Sequence, residues 1–123
     1  MFIGRKSVEW TAHSKAKMRF YGLSEQRVLR IIHSPRRIEE GIAPKTIAMM
    51  QPASLKGLNN WTQEIWVMVQ KIDQKSNLKN QNDNIKFKNA PTTKVISAWR
   101  YPGKTKPGDP LPAEILRELK NIL

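Results

Sequence analysis

HSKAKMRFYGLSEQRVLRIIHS, residues 13–34, reads as two short helices joined at a glycine, and the rest of the chain arranges itself around that pair. The first helix is expected over 12–21, with Gly22 in the left-handed conformation that ends helices. Ala12, Ala16 and Phe20 recur at four-residue spacing and form the expected packing seam. His13, Lys17 and Tyr21 make the neighbouring stripe, Lys15 and Arg19 lie beyond the seam, and Met18 falls outside it. The second helix starts at Ser24, a good N-cap, with Glu25 near the positive helix end. Val28, Leu29, Ile31 and Ile32 give it a broad apolar face. It stops near Ser34, because Pro35 cannot continue a helix and disfavours helical geometry in the residue before it. His33, at that helix end, reads as structural, since the dipole favours a positive imidazole there.

Strands follow. Residues 36–40 begin a sheet, with Gly41 as punctuation, and 45–51 (KTIAMMQ) read as a strand. Residues 52–60 are a loop by their Pro, Ser, Gly and Asn content. Residues 63–73 (QEIWVMVQKID) carry apolar side chains on both faces, which places this strand centrally. Residues 74–91 are rich in Lys, Asn and Gln and are expected as a flexible insert, with Ile85 and Phe87 marking a short strand inside it. Residues 92–101 form the last strand, 102–108 a basic turn and 112–123 a closing helix. At the start, 1–7 read as a loose lead and 8–11 as a short extended piece entering the first helix. Connections this short pair strands as antiparallel hairpins. The expected fold is α+β: two N-terminal helices and a C-terminal helix on a roughly four-stranded antiparallel sheet, in one domain over 1–123.

Charge narrows the partners. Twenty-two Lys and Arg against ten Asp and Glu give +12 on 123 residues. That exceeds the magnitude of about 2–8 that serves solubility, and it points first to nucleic acid, second to an acidic protein and third to an anionic membrane. There is no cysteine, which excludes disulfides, thiolate zinc sites and cysteine nucleophiles. With two histidines, a His-rich metal site is not expected, and neither is a cofactor. No stretch has the length of a signal peptide's apolar run or a membrane span, so a cytoplasmic protein without membrane attachment is expected.

One short order of residues carries a resemblance. His13, Lys17-Met18, Gly22-Leu23-Ser24 and the apolar positions Val28, Leu29 and Ile32 ended by Pro35 are similar to the family called domain of unknown function 4258. That family looks like a branch of the RelE/ParE-like toxin superfamily, together with the BrnT toxins. The likeness covers roughly residues 10–51; beyond it the strands agree by order alone. Lys17 stands where the family usually has Arg, which keeps the charge and loses the planar fork that grips phosphate. The loop at 74–90 is longer than in the family. The resemblance implies a RelE- or barnase-like fold, metal-independent cleavage of RNA, and an acidic antitoxin as partner.

RNA carries its own nucleophile, the 2′-OH, which makes RNA a more natural target than DNA for such chemistry. Cleavage needs a proton taken, a proton given, and charge stabilised on the phosphoryl oxygens. Histidine suits the proton transfers, and Lys or Arg the charge. His13 and Lys17, one helical turn apart, are expected to meet at one phosphate. In the toxins that the chain resembles, a basic or aromatic residue late in the sheet contacts the scissile phosphate, which nominates Arg100 as the third catalytic residue. Strand alternation puts Arg100 on the opposite face from Trp99 and Tyr101. Lys15, Arg19, Arg36, Arg37, Tyr101, Lys104 and Lys106 are the expected RNA-positioning residues. The alternative is a non-catalytic module on the same fold that binds nucleic acid or an acidic protein and makes no demand on His13.

Overall fold

In the computed structural model, which describes residues 8–41, 45–71, 93–106 and 117, the chain runs β1 (Val8–Trp10), α1 (Ala12–Tyr21), α2 (Glu25–His33), β2 (Arg37–Glu40), β3 (Thr46–Pro52), β4 (Gln63–Lys71) and β5 (Thr93–Pro102). The strands form one sheet in the order β1-β5-β4-β3-β2, so the class is α+β. The expected closing helix at 112–123 and the insert at 74–91 lie outside the described residues, apart from Arg117, which is helical.

β2, β3, β4 and β5 pair as antiparallel neighbours. The expectation of a four-stranded, wholly antiparallel sheet is corrected by β1, which joins β5 in parallel, with Val8 opposite Thr93 and Trp10 opposite Val95. The extended piece expected at 8–11 is therefore a sheet strand; three residues show no periodicity and their partner lies more than eighty positions away, so the pairing leaves no local trace. Thr11 secures the join. Its hydroxyl donates to Val95 O at 2.8 Å and approaches Ile96 O at 3.3 Å. The same oxygen accepts from Ser14 N at 3.0 Å and so caps α1.

That tie fixes how α1 is rotated on the sheet, and the rotation is not the expected one. Ala12, Ala16 and Phe20 face solvent, and Phe20 is 76% exposed. The buried side chains of α1 are Ser14 and Met18. Ser14 tolerates burial because its hydroxyl donates to Thr11 O at 2.8 Å. Two alanines bring little apolar area, so their seam loses to Met18. α1 ends at Gly22, whose φ of 69° is the left-handed region. Leu23 N then donates to Met18 O at 2.7 Å. α2 behaves as its pattern says, burying Val28, Leu29 and Ile31.

The core lies on both faces of the sheet. On the helix side, Met18, Leu23, Val28 and Ile31 meet Met49, Ile65, Val67, Val69, Val95 and Ala98. On the other side, Trp61, Trp66 and Trp99 pack with Ala48, Met50, Met68 and Ile96. β4 feeds both clusters, as expected of a central strand. β5 carries an irregularity: Met68 pairs with Ser97 and Val69 with Val95, leaving Ile96 as an extra residue, a β-bulge.

Candidate nucleic-acid interface

The register gathers four strand termini at one end of the sheet. Arg37 pairs with Met50, Pro52 with Glu64, Gln63 with Pro102 and Ile65 with Arg100. The first residues of β2 and β4 therefore meet the last residues of β3 and β5. This end carries Arg36, Arg37, Arg100 and Lys104, and α2 adds Arg27 and Arg30.

On the helix side, Arg27 and Arg100 are held by neutral acceptors. Arg27 Nη1 donates to Gln51 Oε1 at 2.6 Å and Nη2 to Pro52 O at 3.0 Å. Arg100 Nε donates to Tyr21 O at 2.7 Å and Nη1 to Gln63 Oε1 at 3.0 Å. Gln51 also donates through Nε2 to Ser34 O at 2.8 Å and to Arg30 O at 3.2 Å, closing the end of α2. Among the described residues no carboxylate pairs with Arg27, Arg30 or Arg100. Burial, then the charges of Arg30 and Arg100, push the Arg27 pKa below its usual value. Like charges held together without a counter-ion make a seat for an anion. Each guanidinium has five N–H groups, and those two spend only part of that supply on the protein.

On the other side, a buried carboxylate orders the cations. Glu64 has no exposed surface. Trp61 Nε1 and Trp66 Nε1 each donate to it at 2.9 Å. Thr105 N donates at 3.0 Å and Thr105 Oγ1 at 2.7 Å. The tryptophans so fixed carry cations over their faces: Arg36 at 5.1 Å and Lys104 at 4.5 Å over Trp61, and Arg37 at 5.2 Å over Trp66. Arg37 further donates to Thr105 O, to Thr105 Oγ1 and to Glu39, with which it forms a 3.0 Å ion pair. Arg36 is anchored on Leu58 O and Asn59 Oδ1, and Lys104 on Asn59 O. An open cavity of about 320 Å³ is lined by Ser34, Pro35, Arg36, Gln51, Pro52 and Leu55.

The three residues expected to catalyse do not converge. α1 begins beside Val95 and ends at Tyr21, where Arg100 holds its carbonyl. His13 and Tyr21 are therefore separated by about 12 Å along the helix, at a rise of roughly 1.5 Å per residue. His13 Nε2 is buried and has no hydrogen-bond partner. Lys17 reaches the other way, with Nζ 5.5 Å from the Phe20 ring centre and 5.7 Å from that of Tyr21. Lys17 and Arg100 thus share the C-terminal end of α1, and His13 stands apart at its start. Of the positioning residues, Arg36, Arg37 and Lys104 stand at the sheet end. Lys15 and Arg19 are exposed on α1, and Lys106 is exposed beyond β5. Tyr101 packs against the tryptophan cluster and is half-buried.

Arg27, Arg30, Gln51, Gln63 and Glu64 were not legible as site residues. Arg27 and Arg30 have a signal, being cations three apart on the polar face of a strongly amphipathic helix. Glu64 has none beyond its place in an apolar strand.

No family model, no curated protein and no solved structure matches this chain. Its residues and their geometry carry the functional reading. Among the described residues no helix is long and apolar enough to cross a membrane, and no three His, Asp or Glu side chains are grouped to hold a metal ion.

Proposed function

We propose that this chain is a basic RNA-binding domain of RelE-like build, holding the ribose–phosphate backbone against the end of its sheet. The observation that carries the reading is the grouping of Arg27, Arg30 and Arg100, with no carboxylate paired to them among the described residues, beside Arg36, Arg37 and Lys104. Two N-terminal helices preceding four antiparallel strands also agree with the toxin superfamily that residues 13–35 resemble, and an acidic antitoxin would meet the same cations. Binding should be strongly salt-dependent. With four to six phosphates engaged, log K falls against log salt with a slope of about −3 to −4, at about 0.7 per phosphate on a single strand. Fluorescence anisotropy of a labelled 12-nucleotide RNA between 50 and 200 mM salt measures this. A flat salt response, or loss of binding at 50 mM, refutes the proposal.

Cleavage without a metal is the second reading. One observation favours it: the orphaned, buried Nε2 of His13, since such groups occur where chemistry demands them. Against it, a general base must reach the proton it takes, and Nε2 is covered. Incubation of RNA in EDTA, followed by analysis for 2′,3′-cyclic phosphate ends, tests it. Products that the His13→Ala protein fails to make would establish cleavage; intact RNA under conditions of full binding removes it.

A further inference from the structure

Phe20 is out of place on any account of folding. It is 76% exposed on the side of α1 that the sheet does not touch. Its neighbours make the exposure specific. The Tyr21 ring packs at right angles to it, with centroids 4.8 Å apart and planes at 87°, and braces its orientation. Lys17 Nζ lies 5.5 Å from the ring centre. Tyr21 O, one residue on, is the acceptor that holds Arg100 at 2.7 Å. α1 contains Lys15, Lys17 and Arg19 and no acidic residue. An exposed aromatic ring set among cations, one residue before the carbonyl that holds a guanidinium group, has the two parts that single-stranded nucleic acid uses: stacking for a base and charge for its phosphates.

We propose that Phe20 is the stacking platform for one unpaired base of single-stranded RNA, with Lys17 and Arg100 flanking that nucleotide. The proposal rests on the RNA-binding reading above and adds a strand preference to it. A duplex hides its base faces, so Phe20 gives nothing to double-stranded RNA.

The test compares a 12-nucleotide single strand carrying 2-aminopurine with its duplex, for the parent protein and for Phe20→Ala, Phe20→Tyr and Phe20→Trp. Removing so exposed a ring leaves the core intact. Phe20→Ala should weaken single-strand binding about 30-fold, in the middle of the range for base–aromatic stacking, and abolish the 2-aminopurine quenching. Duplex binding should stay within about 2-fold, and Phe20→Tyr and Phe20→Trp should retain both affinity and quenching. Unchanged single-strand affinity in Phe20→Ala, or equal losses for strand and duplex, overturns the stacking role while leaving RNA binding standing. Absence of RNA binding by the parent protein overturns both. A concentration-dependent dimer in sedimentation that Phe20→Ala dissolves assigns the ring to a second copy of the chain and overturns the proposal as well.

Discussion

Replacing Glu64 should unseat the cationic end of the sheet and destabilise the fold together. Its carboxylate accepts from two buried indoles at 2.9 Å and from Thr105 N and Oγ1. In Glu64→Ala both indole N–H groups lose their partner inside the core, where Trp61 is 8% and Trp66 4% exposed. Each unsatisfied buried donor costs about 1–3 kcal/mol, so the pair costs about 2–6 kcal/mol. Thr105 is half-exposed, and water takes over its bonds at little further cost. At about 4 °C per kcal/mol for a chain of this size, the midpoint should fall by roughly 8–24 °C. Glu64→Gln keeps one oxygen but turns an amide N–H₂ toward donors, so about half that loss is expected. Urea unfolding followed by tryptophan fluorescence measures both variants, and Thr105→Ala, expected to lose about 1 kcal/mol, serves as the control. A Glu64→Ala loss below about 1 kcal/mol, or a Glu64→Gln protein as stable as the parent, would show that the carboxylate does not order the tryptophans.

Other variants report on separate parts. Arg100→Gln should weaken RNA binding uniformly across sequences and reduce the salt slope by about 0.7, as one lost phosphate contact requires; anisotropy titrations at several salt concentrations read it. Thr11→Ala should lower stability by about 1–2 kcal/mol through the lost α1 cap, and Thr11→Ser should restore most of it in thermal melts. Gly22→Ala should cost about 1–2 kcal/mol from backbone strain at φ 69° alone, since no atom lies within 4 Å of an added Cβ.

What was legible in the chain was what burial writes into pattern. β4 shows apolar side chains at every position from Ile65 to Val69, and it proved central in the sheet. α2 shows one wide apolar face and buries it. α1 misled because two of the three residues in its expected seam are alanine, while its orientation is set by the bond from Thr11 to Val95 O, a partner 84 residues away. β1 was legible as a short extended piece at 8–11, but its parallel pairing was not, for the same reason: a three-residue strand takes its meaning from a distant neighbour. At the site, helical spacing put His13 and Lys17 on one stripe, but adjacency on a stripe does not say which way a long side chain leans. Lys17 leans toward the aromatic pair at the end of α1. The sheet-end cations were visible as letters in Arg36, Arg37 and Lys104, while their gathering depended on strand register.

The extra residue at Ile96 divides β5 into two segments of opposite phase. Val95 and Ala98 both face the helices although three positions separate them, and Arg100 follows Ala98 on that side. In a strand of regular alternation that began with Val95 inward, Arg100 would point to the tryptophan face and Trp99 to the helices. The bulge is therefore a one-residue phase slip, placed where Thr11 enters α1, and it decides which side of the sheet receives the guanidinium. Removing Ile96 alone would close the bulge and leave Trp99 and Arg100 on the faces they now occupy, whereas removing Ile96 and Ser97 together would act over the whole remaining length of the strand, exchanging a charge for an indole across the sheet.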